Sequence, residues 1–171
     1  LSSAASDVYK RQLVSFVLVL IIGTLIAMLL WWCRSAADIL EPYFVVLNSL
    51  PKSAMAPIFI VWLGNNMKTI IVTAISVAIF GSILNLFTSF MSTDPDKLKL
   101  IRTLHGSQAD CLTKVILPMN LPTILSILKV DIGLCLIGVV IGEFLAAKEG
   151  LGYLIIYGLS LIHISEPTRL G

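Results

Sequence analysis

The sequence predicts an all-α fold, a polytopic transmembrane helical bundle, and three observations predict it. Of the 171 residues, 57% are hydrophobic and 13% charged, with a mean hydropathy of +0.97. Water-soluble domains carry roughly a quarter charged residues. Two runs, Leu13–Cys33 and Thr69–Met91, contain no charged residue, and each reaches the roughly 20 apolar residues a helix needs to cross hydrocarbon. Between apolar stretches lies a polar, basic segment, 92–122, which a membrane protein keeps in water for a reason.

The elements follow in order. Leu13–Cys33 is the first expected span, with Trp31-Trp32 and then Arg34 forming an interfacial belt. Tyr43–Leu63 is a second, but contains Pro51, Lys52 and Pro57. Proline frees a carbonyl and bends a helix, so this segment reads as a broken span shielded inside a bundle, interrupted at Pro51 and Pro57. Thr69–Met91 is the third. Thr123–Ala147 is the fourth and carries Lys129, Asp131 and Glu143. Tyr153–Gly158 reads as the beginning of a fifth. Residues 1–12 and 159–171 change character abruptly and are read as tails foreign to a native segment 13–158.

Loop charge sets the orientation. Arg34, Lys97, Lys99, Arg102 and Lys114 fall on one side of alternating spans, Lys68 and Lys148 on the other. The 92–122 loop is therefore expected in the cytoplasm, in a multi-pass cell-membrane protein. Lys10 and Arg11 fall on the opposite side, which agrees with the foreign-tail reading.

Within the loop, Asp94-Pro95-Asp96 is a helix start, with an acidic cap, proline in the first turn and a second acid near the positive end of the dipole. Leu98, Ile101 and Leu104, or Leu100, Leu104 and Cys111, form an apolar stripe at helical spacing. A bend at Gly106 leads to a second short helix, and Pro118 and Pro122 break the chain before the next span. Such a shape suits docking into another protein's groove, or lying on lipid headgroups.

Several function classes find no support. A net charge of +2 is too small for nucleic-acid binding. No Gly-x-x-x-x-Gly-Lys-Ser/Thr motif is present for ATP, and His105 and His163 alone cannot build a metal site. Cys33, Cys111 and Cys135 show no paired spacing and read as small hydrophobes. No catalytic constellation and no cofactor site is found. Gly138 and Gly142 form a Gly-x-x-x-Gly pair suited to close helix packing.

Arg102-Thr103-Leu104-His105-Gly106-Ser107 followed by Lys114-Val115-Ile116-Leu117-Pro118 and Leu121-Pro122 resembles the cytoplasmic coupling loop of ABC-transporter permease subunits. The nitrate, sulfonate and taurine branch of binding-protein-dependent importers is most similar. Leu50-Pro51-Lys52-Ser53-Ala54-Met55-Ala56-Pro57 with Trp62-Leu63-Gly64 resembles its broken third span. Glu143-Phe144-Leu145-Ala146-Ala147 with Gly150-Leu151-Gly152 resembles the end of its fifth. The family's loop usually opens with Glu-Ala-Ala, where this chain has Lys99-Leu100-Ile101. His105 stands where that loop usually has glycine, and Gly106 beside it is expected to supply the positive φ of the bend.

The resemblance implies the membrane half of an ATP-driven importer rather than an enzyme. Its expected partners are a separate ABC ATPase subunit, a periplasmic or lipid-anchored solute-binding protein, a second permease subunit and membrane lipid. The solute would be a small anion or sulfur compound. Arg102, Leu104, His105, Gly106, Ser107, Lys114 and Pro118 are the expected coupling contacts, and Asp131 and Glu143 the candidates for the translocation path. The rival reading is an ion-coupled transporter or channel using Lys129, Asp131 and Glu143 as a relay. A non-transporting scaffold is a third, and it leaves those charges unexplained.

Overall fold

The structure is a computed structural model that describes residues 2–146. Every element among them is helical: α1 (Ser2–Trp32), α2 (Arg34–Ser49), α3 (Lys52–Leu63), α4 (Met67–Met91), α5 (Pro95–Thr103), α6 (Gln108–Cys111), a π-helical turn (Leu112–Ile116) and α7 (Leu117–Ala146). Three helical runs are long and apolar enough to cross a membrane, or four if α2 and α3 together count as one interrupted span. Against the expected bounds, α1 begins well before Leu13, the interrupted pair begins at Arg34 rather than Tyr43, and the last run begins at Gln108 rather than Thr123. The expected beginning of a fifth span at Tyr153 lies outside the described residues.

The interruption falls where one proline demands it and not where the other does. Leu50 is extended, with φ −64° and ψ 139°, because the ring of Pro51 crowds the residue before it out of the helical region. Pro51 then caps α3. Pro57 was expected to break the chain as well, but it lies inside α3. There it removes one backbone hydrogen bond, and the remaining ladder carries the helix on to Leu63. Pro118 and Pro122 likewise fail to break the chain. Pro118 lies just after the π-helical turn in the continuous run Gln108–Leu145, and Pro122 is inside α7. The widened turn just before them takes up the strain, as the Leu117 N–H reaches back to the Leu112 carbonyl.

Two compact units divide the chain. The first contains residues up to Phe16, Pro51–Val77 and those from Leu134 onward. Its core is Val8, Ile70, Ala74 and Val139, with Ile60 packed against it. Lipid tails are as apolar as leucine, so burying such residues inside a bilayer yields little, and close fit must do the holding. Gly138 and Gly142 supply that fit. A Cβ added at Gly138 would lie 2.5 Å from the Ala74 Cα, and one at Gly142 would lie 3.0 Å from the Ile70 Cα. Positions increase along α7 as they decrease along α4, so the two helices cross antiparallel, backbone to backbone.

The second unit contains Val17–Leu50 and Ala78–Gly133. Ala27, Leu30, Ala37, Ile83, Leu86, Phe87, Phe90, Leu112 and Ile116 form its core, and Phe44 meets Phe80 at a ring separation of 6.3 Å. The last two core residues come from the π-helical turn, so the polar loop is packed onto the bundle instead of hanging from it. Large apolar side chains such as Leu29, Val61 and Val130 stay exposed, as expected where the solvent is hydrocarbon.

The glycine seam gives a testable asymmetry. Gly138→Leu in the full-length protein should cost roughly 1–3 kcal/mol through overpacking, read as a lowered melting temperature in mild detergent. Gly133→Leu, with nothing within 4 Å of the added Cβ, should leave it unchanged.

Candidate functional site

The 92–122 loop folds as two short helices around a tight turn, as its sequence suggested. Asp94 begins α5 by accepting the Asp96 N–H at 2.9 Å. The helix ends by a reciprocal pair of bonds, Gly106 N–H to the Ile101 carbonyl and His105 N–H to the Arg102 carbonyl. That is a Schellman ending, which places the residue after the cap in the left-handed region. His105 occupies that place at φ 61°, and Gly106 has no positive φ. The expectation that Gly106 would supply the positive φ is therefore corrected. Gly106 is needed for closeness instead, since a Cβ there would meet Ile101 Cγ2 at 2.4 Å and the Ile101 carbonyl oxygen at 2.9 Å.

The next residue starts α6. Ser107 Oγ accepts the Asp110 N–H and the Asp110 carboxylate accepts the Ser107 N–H, a capping box. Lys114 pairs with Asp110 at 2.6 Å. The helical run Gln108–Leu145 is 38 residues long, nearly twice the roughly 20 a bilayer core needs. Its first turns, with Asp110 and Lys114, therefore lie outside the membrane. Lys114, then the Ser107 hydroxyl and N–H, hold the Asp110 carboxyl well below the usual carboxylate range. The box is accordingly present above the pH at which an ordinary aspartate titrates, and is lost only on strong acidification.

The apolar stripe expected across the loop divides in two. Leu98 and Ile101 are half-buried, and Cys111 is buried. Leu98 packs against the second unit's core. Leu100 and Leu104 face solvent, Leu104 at 70% exposure at the tip. Arg102, His105, Ser107, Lys114 and Pro118 are exposed and Gly106 is half-buried. Arg102 also lines a pocket of about 370 Å³ with Arg34, Trp31, Trp32 and Gln108.

At the base of the loop is a group the sequence analysis missed. The Ser89 hydroxyl donates to Asn120 Oδ1 at 2.6 Å, and Asn120 Nδ2 donates to Thr93 Oγ1 and to the Ile116 carbonyl, each at 2.8 Å. All three side chains are buried. A lone asparagine in an apolar stretch was the available signal, because a buried amide requires partners.

The two charges proposed for a path are both closed off. Asp131 is 2% exposed and accepts a hydrogen bond from Ser82 at 2.5 Å. Glu143 is fully buried and accepts from Arg11 at 2.5 Å. Lys129, two residues from Asp131, is exposed. Among the described residues no group of three potential metal ligands converges.

Comparison with known proteins adds three relatives and a family. Residues 19–166 match the family described as binding-protein-dependent transport system inner membrane component. A probable ABC transporter permease protein of Haemophilus influenzae is 33% identical over 79% of this chain and 55% of its own length. A formylaminopyrimidine transport permease protein of Halalkalibacterium halodurans is 27% identical over 82% and 56%. A putative aliphatic sulfonates transport permease protein of Bacillus subtilis is 29% identical over 87% and 54%. The chain spans about half the length of these curated relatives.

The helix ending offers its own test. A non-glycine residue in the left-handed region costs roughly 1 kcal/mol. His105→Gly should therefore slow exchange of the amide hydrogens of His105's position and Gly106 by about fivefold, at roughly 1.4 kcal/mol per tenfold. Unchanged exchange would show that the imidazole makes good the strain.

Proposed function

We propose that this chain, which belongs to the family of binding-protein-dependent transport system inner membrane components, acts in an ATP-driven importer as the subunit that forms the solute path and couples it to a separate ATPase. One observation carries the proposal most. The polar loop presents an exposed leucine, Leu104, at the tip of a turn whose neighbours are all fixed by caps. Its base is fastened to α4 by Asn120. An apolar tip on a stiff mount is what a groove on a partner requires, and Arg102, His105, Gly106 and Ser107 surround that tip. Lys114 and Pro118 lie at the root, where Lys114 contributes by holding Asp110 rather than by facing a partner.

The assembly this implies contains two permease subunits, two ATPase subunits on the cytoplasmic face, and a periplasmic or lipid-anchored binding protein on the other. Closure of the ATPase dimer on ATP would press on the loop, and the loop would pass the movement to α7, changing which side of the bundle is open. Coupling of this kind is a difference in contact energy between two bundle states. The solute is a small anion or sulfur compound such as a sulfonate, taurine or nitrate. Support for that class comes from the relative named for aliphatic sulfonates, and the relative named for formylaminopyrimidine marks the breadth of the family. A proton or sodium relay through Lys129, Asp131 and Glu143 has less support, since Asp131 is sealed against Ser82 while Lys129 points elsewhere.

A tagged full-length protein, extracted in mild detergent, should carry an ABC ATPase with it. Leu104→Ser changes no packed contact and should lower solute-stimulated ATP hydrolysis and uptake together, by about tenfold if it removes 1.4 kcal/mol of docking. Gly106→Asp should do the same by displacing the turn. Purification without an ATPase, with uptake intact in both variants, would defeat the proposal.

A further inference from the structure

Asp131 and Glu143 are sealed, so a path through the membrane needs another lining, and a polar cleft of the second unit supplies one. Asn85 lies three and four residues before Thr88 and Ser89, so they share one face of α4, and Ser92 follows just beyond its end. With Thr123 and Ile127 of α7 they line an open cleft of about 390 Å³, within the range of roughly 300–1,000 Å³ usual for small-molecule sites. Five of its six lining residues are polar and none is charged. Asn85, Thr88 and Thr123 are exposed within otherwise apolar helices, and Ser92 is exposed just past α4.

Hydrocarbon cannot be the neighbour of this face. An unpartnered amide or hydroxyl moved into an apolar medium costs roughly 2–7 kcal/mol. Ser89 is occupied by Asn120 and Ser92 by the Ser89 carbonyl. The side chains of Asn85, Thr88 and Thr123 have no hydrogen-bond partner among the described residues, so three neutral donors converge on one cleft. No carboxylate lines the cleft, and the loop that follows α4 carries three basic residues, Lys97, Lys99 and Arg102, against two acidic ones, Asp94 and Asp96, a small positive excess that favours an anion. Neutral donors also bind without the tight hold of an ion pair, which a group that must release its cargo requires.

Resting on the importer reading, we propose that the cleft of Asn85, Thr88 and Thr123 is a transient site for the transported solute at the loop-side end of the path, and that it takes a small oxyanion through neutral hydrogen-bond donors. The amide and the hydroxyls replace its hydration shell without neutralising its charge.

Single cysteines test this in the full-length transporter, copurified with its ATPase and reconstituted in vesicles. Cys33 is exchanged for serine, since Cys111 and Cys135 are buried. Asn85→Cys and Thr88→Cys should react with a sulfonate-bearing methanethiosulfonate at least about tenfold faster than Leu125→Cys or Ile132→Cys, because only a wetted thiol ionises. Leu125 and Ile132 are exposed apolar positions of α7. With each rate divided by that of the same reagent on a free thiol, a cationic reagent of the same size should be at least about threefold slower than the sulfonate at the two α4 positions, by the charge preference of the site. Equal rates at all four positions would place lipid or another helix on this face and overturn the proposal. A faster cation would overturn the oxyanion class. Either failure in a preparation that retains its ATPase would leave the importer reading standing, whereas a preparation without the ATPase would defeat that reading first.

Discussion

Asn120 is the contact on which the rest of the second unit depends. One buried amide holds the end of α4 through Ser89, the residue beyond that end through Thr93, and its own helix through the Ile116 carbonyl. The polar segment between α4 and α7 therefore leaves and returns at a fixed point. Everything its turn presents to solution is positioned from there. Replacing the amide by an apolar side chain would leave the Ser89 and Thr93 hydroxyls unpaired in a buried place, and an orphaned buried group costs about 1–3 kcal/mol.

A second constraint comes from the solvent. Where hydrocarbon surrounds a helix, apolar burial contributes little, and the structure relies on two other means. One is close backbone approach at Gly138 and Gly142, which brings α7 against α4 in the first unit. The other is polar pairing of the buried carboxylates, Asp131 with Ser82 and Glu143 with Arg11, while Lys129 stays exposed. The polar groups left over on one face of α4 then stand out against that background.

Much of this was legible in the sequence, and the exceptions share a cause. Two uncharged runs of bilayer length marked α1 and α4, because length and apolarity decide whether a helix can cross. Asp94-Pro95-Asp96 gave the start of α5, because capping is local chemistry. Prolines were read less well. Pro51 did break a helix, but Pro57 and Pro122 sit inside theirs. The difference is set by packing and by the neighbouring π-helical turn, neither of which has a period in the sequence. The candidate site was legible as a loop but not as a turn. His105 takes the left-handed place that glycine usually holds, and Gly106 serves steric closeness. Asn120 and the polar face of α4 escaped notice because asparagine, serine and threonine are unremarkable until their partners are known.

The turn from α5 to α6 has a mechanical meaning. From the Ile101 carbonyl to the Asp110 carboxylate, successive bonds close one helix and open the next without a free residue between them. Few torsions there can yield under load without a bond rupturing. On the proposed coupling role, a thrust at Leu104 would pass to the widened turn of Leu112–Ile116, where the helical pitch departs from the norm before α7. The stiff arm and the compliant joint adjoin, and displacement will concentrate at the joint.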